Sequence, residues 1–80
     1  MPALLRVRGY RFFFFSMERR EPPHIHVAHA GGYAKFWLEP VAVADVRRFR
    51  AHEMTEIRQI VMENAEFFLE KWHEYFSGKS

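Results

Sequence analysis

Pro22-Pro23-His24-Ile25-His26-Val27-Ala28-His29-Ala30-Gly31-Gly32-Tyr33-Ala34-Lys35-Phe36-Trp37-Leu38 is the stretch from which the other elements can be placed. Proline fixes φ and restricts the residue before it, so Glu21-Pro22-Pro23 breaks any regular element. Beyond the break, Ile25 and Val27 alternate with His24 and His26, the period of a half-buried strand. Gly31-Gly32 predicts a hairpin turn into a second strand, Tyr33 to Leu38, which Pro40 closes. Val41 to Asp45 predicts a further short edge strand.

Upstream, Leu5 and Val7 alternate with Leu4, Arg6 and Arg8, and Gly9 punctuates the pattern. Tyr10-Arg11-Phe12-Phe13-Phe14-Phe15-Ser16 is too short for a typical helix and dense in rings that favour strands. The two segments predict a pair of strands joined by a tight turn near Gly9. Four consecutive Phe fill both faces of the second strand, so one ring set should meet the core and the other a surface, where it is either solvated, covered by loops or covered by a partner.

Downstream, Met54, Ile57, Val61, Ala65, Phe68, Trp72 and Phe76 recur at spacings of three and four, the period of an amphipathic helix. No Pro or Gly interrupts Ala51 to Phe76. The pattern predicts a single helix with Asn64 as the place for a bend, stopped at Gly78. The expected architecture is α+β: an N-terminal antiparallel sheet of four strands, five with the edge segment, packed against one long C-terminal helix in a single domain over residues 1–80.

A chain of 80 residues buries only about 60 to 65% of its unfolded surface. Nine Phe, three Tyr and two Trp offset that shortage, since each ring can bury roughly 150 to 250 Å². An apolar face left over would be covered by a second subunit or a partner, so homo-oligomerisation is expected. The absence of cysteine removes disulfides, thiolate metal sites and a Cys nucleophile, and fits a reducing cytoplasm. No apolar run approaches the ~20 residues that span a bilayer, and no export signal is read at the N-terminus.

Charge is unevenly spread. Residues 1–35 hold six Lys or Arg against two acids, and residues 36–80 hold six against eight. A basic sheet and an acidic helix can complement each other, or orient the domain on an anion such as RNA.

His24 and His26 lie two apart on one strand, which sends both imidazoles from one face roughly 6 to 7 Å apart. A metal would need a third ligand, and the candidates Glu18, Glu21 and His29 are two loop residues and an imidazole of opposite parity. No metal or other cofactor is expected. Cleavage of RNA needs a base, an acid and a cation for the phosphate. His24 and His26 suit the first two, because imidazole titrates near physiological pH, and Arg11, Lys35, Arg19 or Arg20 suits the third. The same imidazoles can instead bond nearby backbone around the Pro-Pro turn. Lys35 beside Trp37 makes a phosphate-and-base platform, or a lysine stem covering a core ring. His73, next to Trp72, either joins the histidine pair or complements the helix C-terminus. His52 reads as surface. No glycine-rich phosphate loop, nucleophile elbow or zinc-finger spacing occurs.

Gly9 to Ser16, Pro22-Pro23-His24-Ile25-His26-Val27, Ala34 to Leu38 and Trp72-His73-Glu74-Tyr75-Phe76 together resemble the DUF4160 family of small prokaryotic proteins. The resemblance implies one half of a type II toxin–antitoxin pair with a small DUF2442-like partner protein. The family pattern falls on Tyr10, Arg11, Phe12, His24, His26, Lys35, Trp37, Trp72 and His73. Two places depart from it: Met17 to Glu21 is more charged, and Arg50 stands where Ser would cap the helix. Loss of that cap should cost about 1 kcal/mol and leave Glu53 without a capping-box partner.

The leading expectation is a toxin-like, metal-independent ribonuclease with His24 and His26 as acid and base, Lys35 or Arg11 on the phosphate, and Tyr10, Arg19, Arg20, Trp37 and His73 as binding residues. The alternative is a non-enzymatic module that binds protein or nucleic acid with its basic, aromatic sheet face.

Overall fold

The computed structural model describes residues 3–15 and 20–76. Five strands, β1 (Leu5–Val7), β2 (Tyr10–Phe13), β3 (His24–His29), β4 (Gly32–Leu38) and β5 (Val41–Arg47), precede helices α1 (Ala51–Glu63) and α2 (Ala65–Phe76). The strands form one antiparallel sheet in chain order, β1-β2-β3-β4-β5. The edge segment is a full strand of seven residues.

Short turns set the register. Arg8 and Gly9 join β1 to β2, and Ala30 and Gly31 join β3 to β4, all four with positive φ, as two-residue hairpins require. The second turn sits one residue earlier than the Gly31-Gly32 reading, because Gly32 already pairs with His29. Gly32 serves a different purpose: a Cβ there would fall 2.4 Å from Phe49 Cε1. A cis Glu39–Pro40 bond lies in the turn that brings Leu38 opposite Val41.

Between β4 and β5 the register slips. Phe36 faces Val43 but Lys35 faces Asp45, so Ala44 is an extra residue on β5. Such a bulge reverses the in-and-out parity of all that follows. Val46 therefore turns to the helix side opposite Ala34, and Arg47 to the outer side opposite Tyr33.

The core lies between one sheet face and the helices. Phe12, Phe14, Ile25, Val27, Ala34 and Phe36 meet Ile57, Ile60, Val61, Phe68 and Trp72, all buried. Phe12 stacks on Phe68 at 5.5 Å between ring centroids, and Phe14 meets Trp72 edge-on at 5.2 Å. The four Phe divide as the alternation predicts: Phe12 and Phe14 point inward, while Phe13 is half-buried and Phe15 is exposed.

The single long helix is corrected to two. Asn64, at φ −115° and ψ 13°, donates through Nδ2 to Ile60 O at 2.9 Å. Its backbone N–H is shared between Ile60 O and Val61 O, and Phe68 N–H then bonds Asn64 O at 2.9 Å. Asparagine competes with the helix for backbone partners, and the axis restarts at Ala65. At the other end α1 begins at Ala51, with Glu53 Oε1 accepting from Arg50 N–H at 2.8 Å. Arginine has no side-chain acceptor, so the acidic half of the capping box operates alone, with Glu53 capping the Arg50 N–H. The predicted stop at Gly78 lies outside the described residues. No helix among the described residues is long and apolar enough to cross a membrane.

Candidate functional site

Because both helices cover the same side, the opposite face of the sheet carries the outward side chains in cross-strand rows. One row runs Arg6, Arg11, Ala28, Tyr33, Arg47 from β1 to β5. The next runs Phe13, His26, Lys35, Asp45, and a third pairs His24 with Trp37 and Ala42.

His24 and His26 do project the same way, their rings 5.0 Å apart. They are nevertheless sealed, 0% and 2% exposed. Phe13 stacks on the His26 ring at 5.6 Å, Phe15 approaches it at 4.4 Å, and Tyr33 stacks at 5.8 Å. Trp37 and Trp72 close on His24 at 5.7 and 4.9 Å. A general base must come within about 2.6 to 3.2 Å of the proton it takes, so two imidazoles flanking a phosphate directly is corrected. Aromatic side chains stand between them and any strand on the surface.

Both rings are hydrogen-bonded through Nδ1. His24 Nδ1 donates to Pro22 O at 2.9 Å and lies 3.7 Å from Glu21 Oε1. His26 Nδ1 shares a 2.8 Å hydrogen bond with Tyr33 Oη. Tyr33 is half-buried, so its phenol links the buried ring to the outer face.

The expected cations differ in availability. Lys35 Nζ sits 4.7 Å from the Trp37 ring centroid and 2.6 Å from Glu21 Oε1, which offsets its charge. Arg11 lies 5.8 Å from the Phe13 ring centroid and is exposed, directly opposite exposed Arg6. Neither has a carboxylate within 4.0 Å among the described residues. Arg47 is held by Asp45 Oδ2 at 3.4 Å. Arg20 is exposed at the turn before Glu21; Arg19 lies outside the described residues.

Two expected binding residues are elsewhere. Tyr10 is on the core face, 4% exposed, and donates to Glu56 Oε1 at 3.0 Å while Arg8 Nη1 donates to Glu56 Oε2 at 2.7 Å. Burial first, then the Glu56 hydrogen bond, raises the Tyr10 pKa; the Arg8 and then the Tyr10 hydrogen bond lowers that of Glu56. His73 is exposed in the last turn of α2, and its neighbour Trp72 is the residue that reaches His24.

A family model described as "Domain of unknown function (DUF4160)" matches residues 9–73. The chain belongs to the DUF4160 family. No curated protein and no solved structure matches it.

Within the DUF4160 span fall Arg11, Phe13, the His24/His26 pair, Tyr33, Lys35, Trp37 and Arg47; Arg6 precedes it. Of these, Phe13, Tyr33 and Arg47, with Arg6, were not singled out from the sequence as site residues. Tyr33 and Arg6 were legible in the alternation, since Tyr33 shares parity with Lys35 and Trp37, and Arg6 opposes Leu5 and Val7. Arg47 was not, because the Ala44 bulge alone sends it outward. Among the described residues of this DUF4160 domain, no group of three or more His, Asp or Glu could hold a metal ion.

Proposed function

We propose that this DUF4160 domain binds single-stranded RNA across the outer face of its sheet. The observation that carries the reading is the exposed Arg6–Arg11 pair, directly opposed across β1 and β2 with no carboxylate at either guanidinium among the described residues. Like charges directly opposite are destabilising, and a phosphate between them relieves the repulsion. Phe13, its ring centroid 5.8 Å from Arg11, and Phe15, Tyr33 and Trp37 farther along the same side offer ring surfaces on which unpaired bases stack. In the toxin–antitoxin setting that the resemblance implies, RNA would be the target and a DUF2442-like protein the chain that masks this face.

Fluorescence anisotropy with a labelled oligoribonucleotide tests it. The logarithm of affinity should fall linearly with the logarithm of salt concentration, and Arg11→Glu should weaken binding and flatten that slope by about 0.7 or more. Salt-independent binding, or equal affinity after Arg6→Glu and Arg11→Glu, rejects the proposal.

A further inference from the structure

We infer that Tyr33 is the acid–base group of a phosphodiester-cleaving site on this face, with buried His26 as the relay that takes its proton; this rests on RNA binding there. Tyr33 combines two properties that no other outer-face phenol offers among the described residues. Its half-buried ring lies on the outer face, and its Oη is 2.8 Å from His26 Nδ1. The relay uses the tautomer in which Tyr33 Oη donates to Nδ1 and the imidazole proton sits on Nε2.

The surrounding charges suit a phosphate. Arg47 faces Tyr33 directly, and Arg11 lies two strands away across Ala28, whose small side chain leaves room between them. Among the described residues, Lys35 with Glu21 and Asp45 with Arg47 are the other charged groups around the dyad. His24 packs on the far side of the relay ring.

The reaction is a transesterification. The ribose 2′-hydroxyl gives its proton to Tyr33 Oη as the Tyr33 proton moves onto His26 Nδ1. The O2′–P bond forms and the P–O5′ bond breaks. The leaving 5′-oxygen takes a proton from water, and the resulting hydroxide recovers the proton held by His26 through Tyr33. The products are a 2′,3′-cyclic phosphate and a 5′-hydroxyl, with no net proton change. Arg11 and Arg47 stabilise the charge on the pentavalent phosphorus.

The test separates binding from cleavage. A labelled oligoribonucleotide should be cut to cyclic-phosphate ends, while its 2′-O-methyl counterpart binds and stays whole. Tyr33→Phe, which keeps the stacking ring and removes only the hydroxyl, should reduce the cleavage rate at saturating strand by about 10² to 10⁴. 3-Fluorotyrosine at position 33, a more acidic phenol with the same fold, should move the pH–rate profile to lower pH, which a packing role would not do. Failure to bind either strand defeats the RNA-binding reading itself. Binding without cleavage by the wild-type chain, full activity in Tyr33→Phe, or an unmoved profile with fluorotyrosine overturns the assignment of Tyr33 alone.

Discussion

Glu56 joins the β1–β2 turn to α1 by accepting from Arg8 and Tyr10 together. Its pKa is lowered, so its contribution to stability is present above its ordinary value of 4.5 and disappears as pH falls through the depressed value. Tyr10 runs the other way: its pKa is raised, so its contribution is present below 10.0 and fades as pH rises through the higher folded value. Glu56→Gln should therefore flatten the acid limb of stability, read from urea midpoints across pH; an unchanged acid limb would remove Glu56 as its source. At Gly32 the constraint is space. Gly32→Ala sets a methyl against the Phe49 ring and should cost about 1 to 3 kcal/mol, measurable by the same melts.

Among the elements, α2 holds the core through Phe68 and Trp72. Phe68→Ala removes the ring stacked on Phe12 and should cost about 3 to 5 kcal/mol, a large share of the stability of a domain this small; a denaturation midpoint close to wild type would contradict the packing described. The period of two in His24–His29 and the spacing of Ile57, Val61, Phe68 and Trp72 made the antiparallel sheet, its hairpins and the helical half legible, while the β2–β3 pairing that completes the strand order was not. The break at Asn64 was legible only as a weak point, because the hydrophobic stripe runs through it. The candidate site was legible in outline, since Lys35 and Trp37 do stand opposite His26 and His24. What sequence could not supply was depth: alternation assigns an imidazole to a face, but neighbouring rings decide whether that face is open. Phe13 and Phe15 close it.

At the scale of the molecule, an acidic helical layer packs on one side and leaves the arginines of β1, β2 and β5 on the other. That arrangement gives the charge asymmetry of the sequence a direction in space, and makes association with a polyanion a surface property that salt should screen. The end of the sheet is treated differently. Asp45 Oδ1 accepts the N–H of Val46 at 2.9 Å, on the last strand and next to the bulge. A sheet that finishes this way offers an incoming chain a broken ladder, the usual defence against endless edge-to-edge growth. Replacing Asp45 with alanine should turn a self-limiting particle into one that recruits its own kind, visible as concentration-dependent light scattering and thioflavin binding at neutral pH.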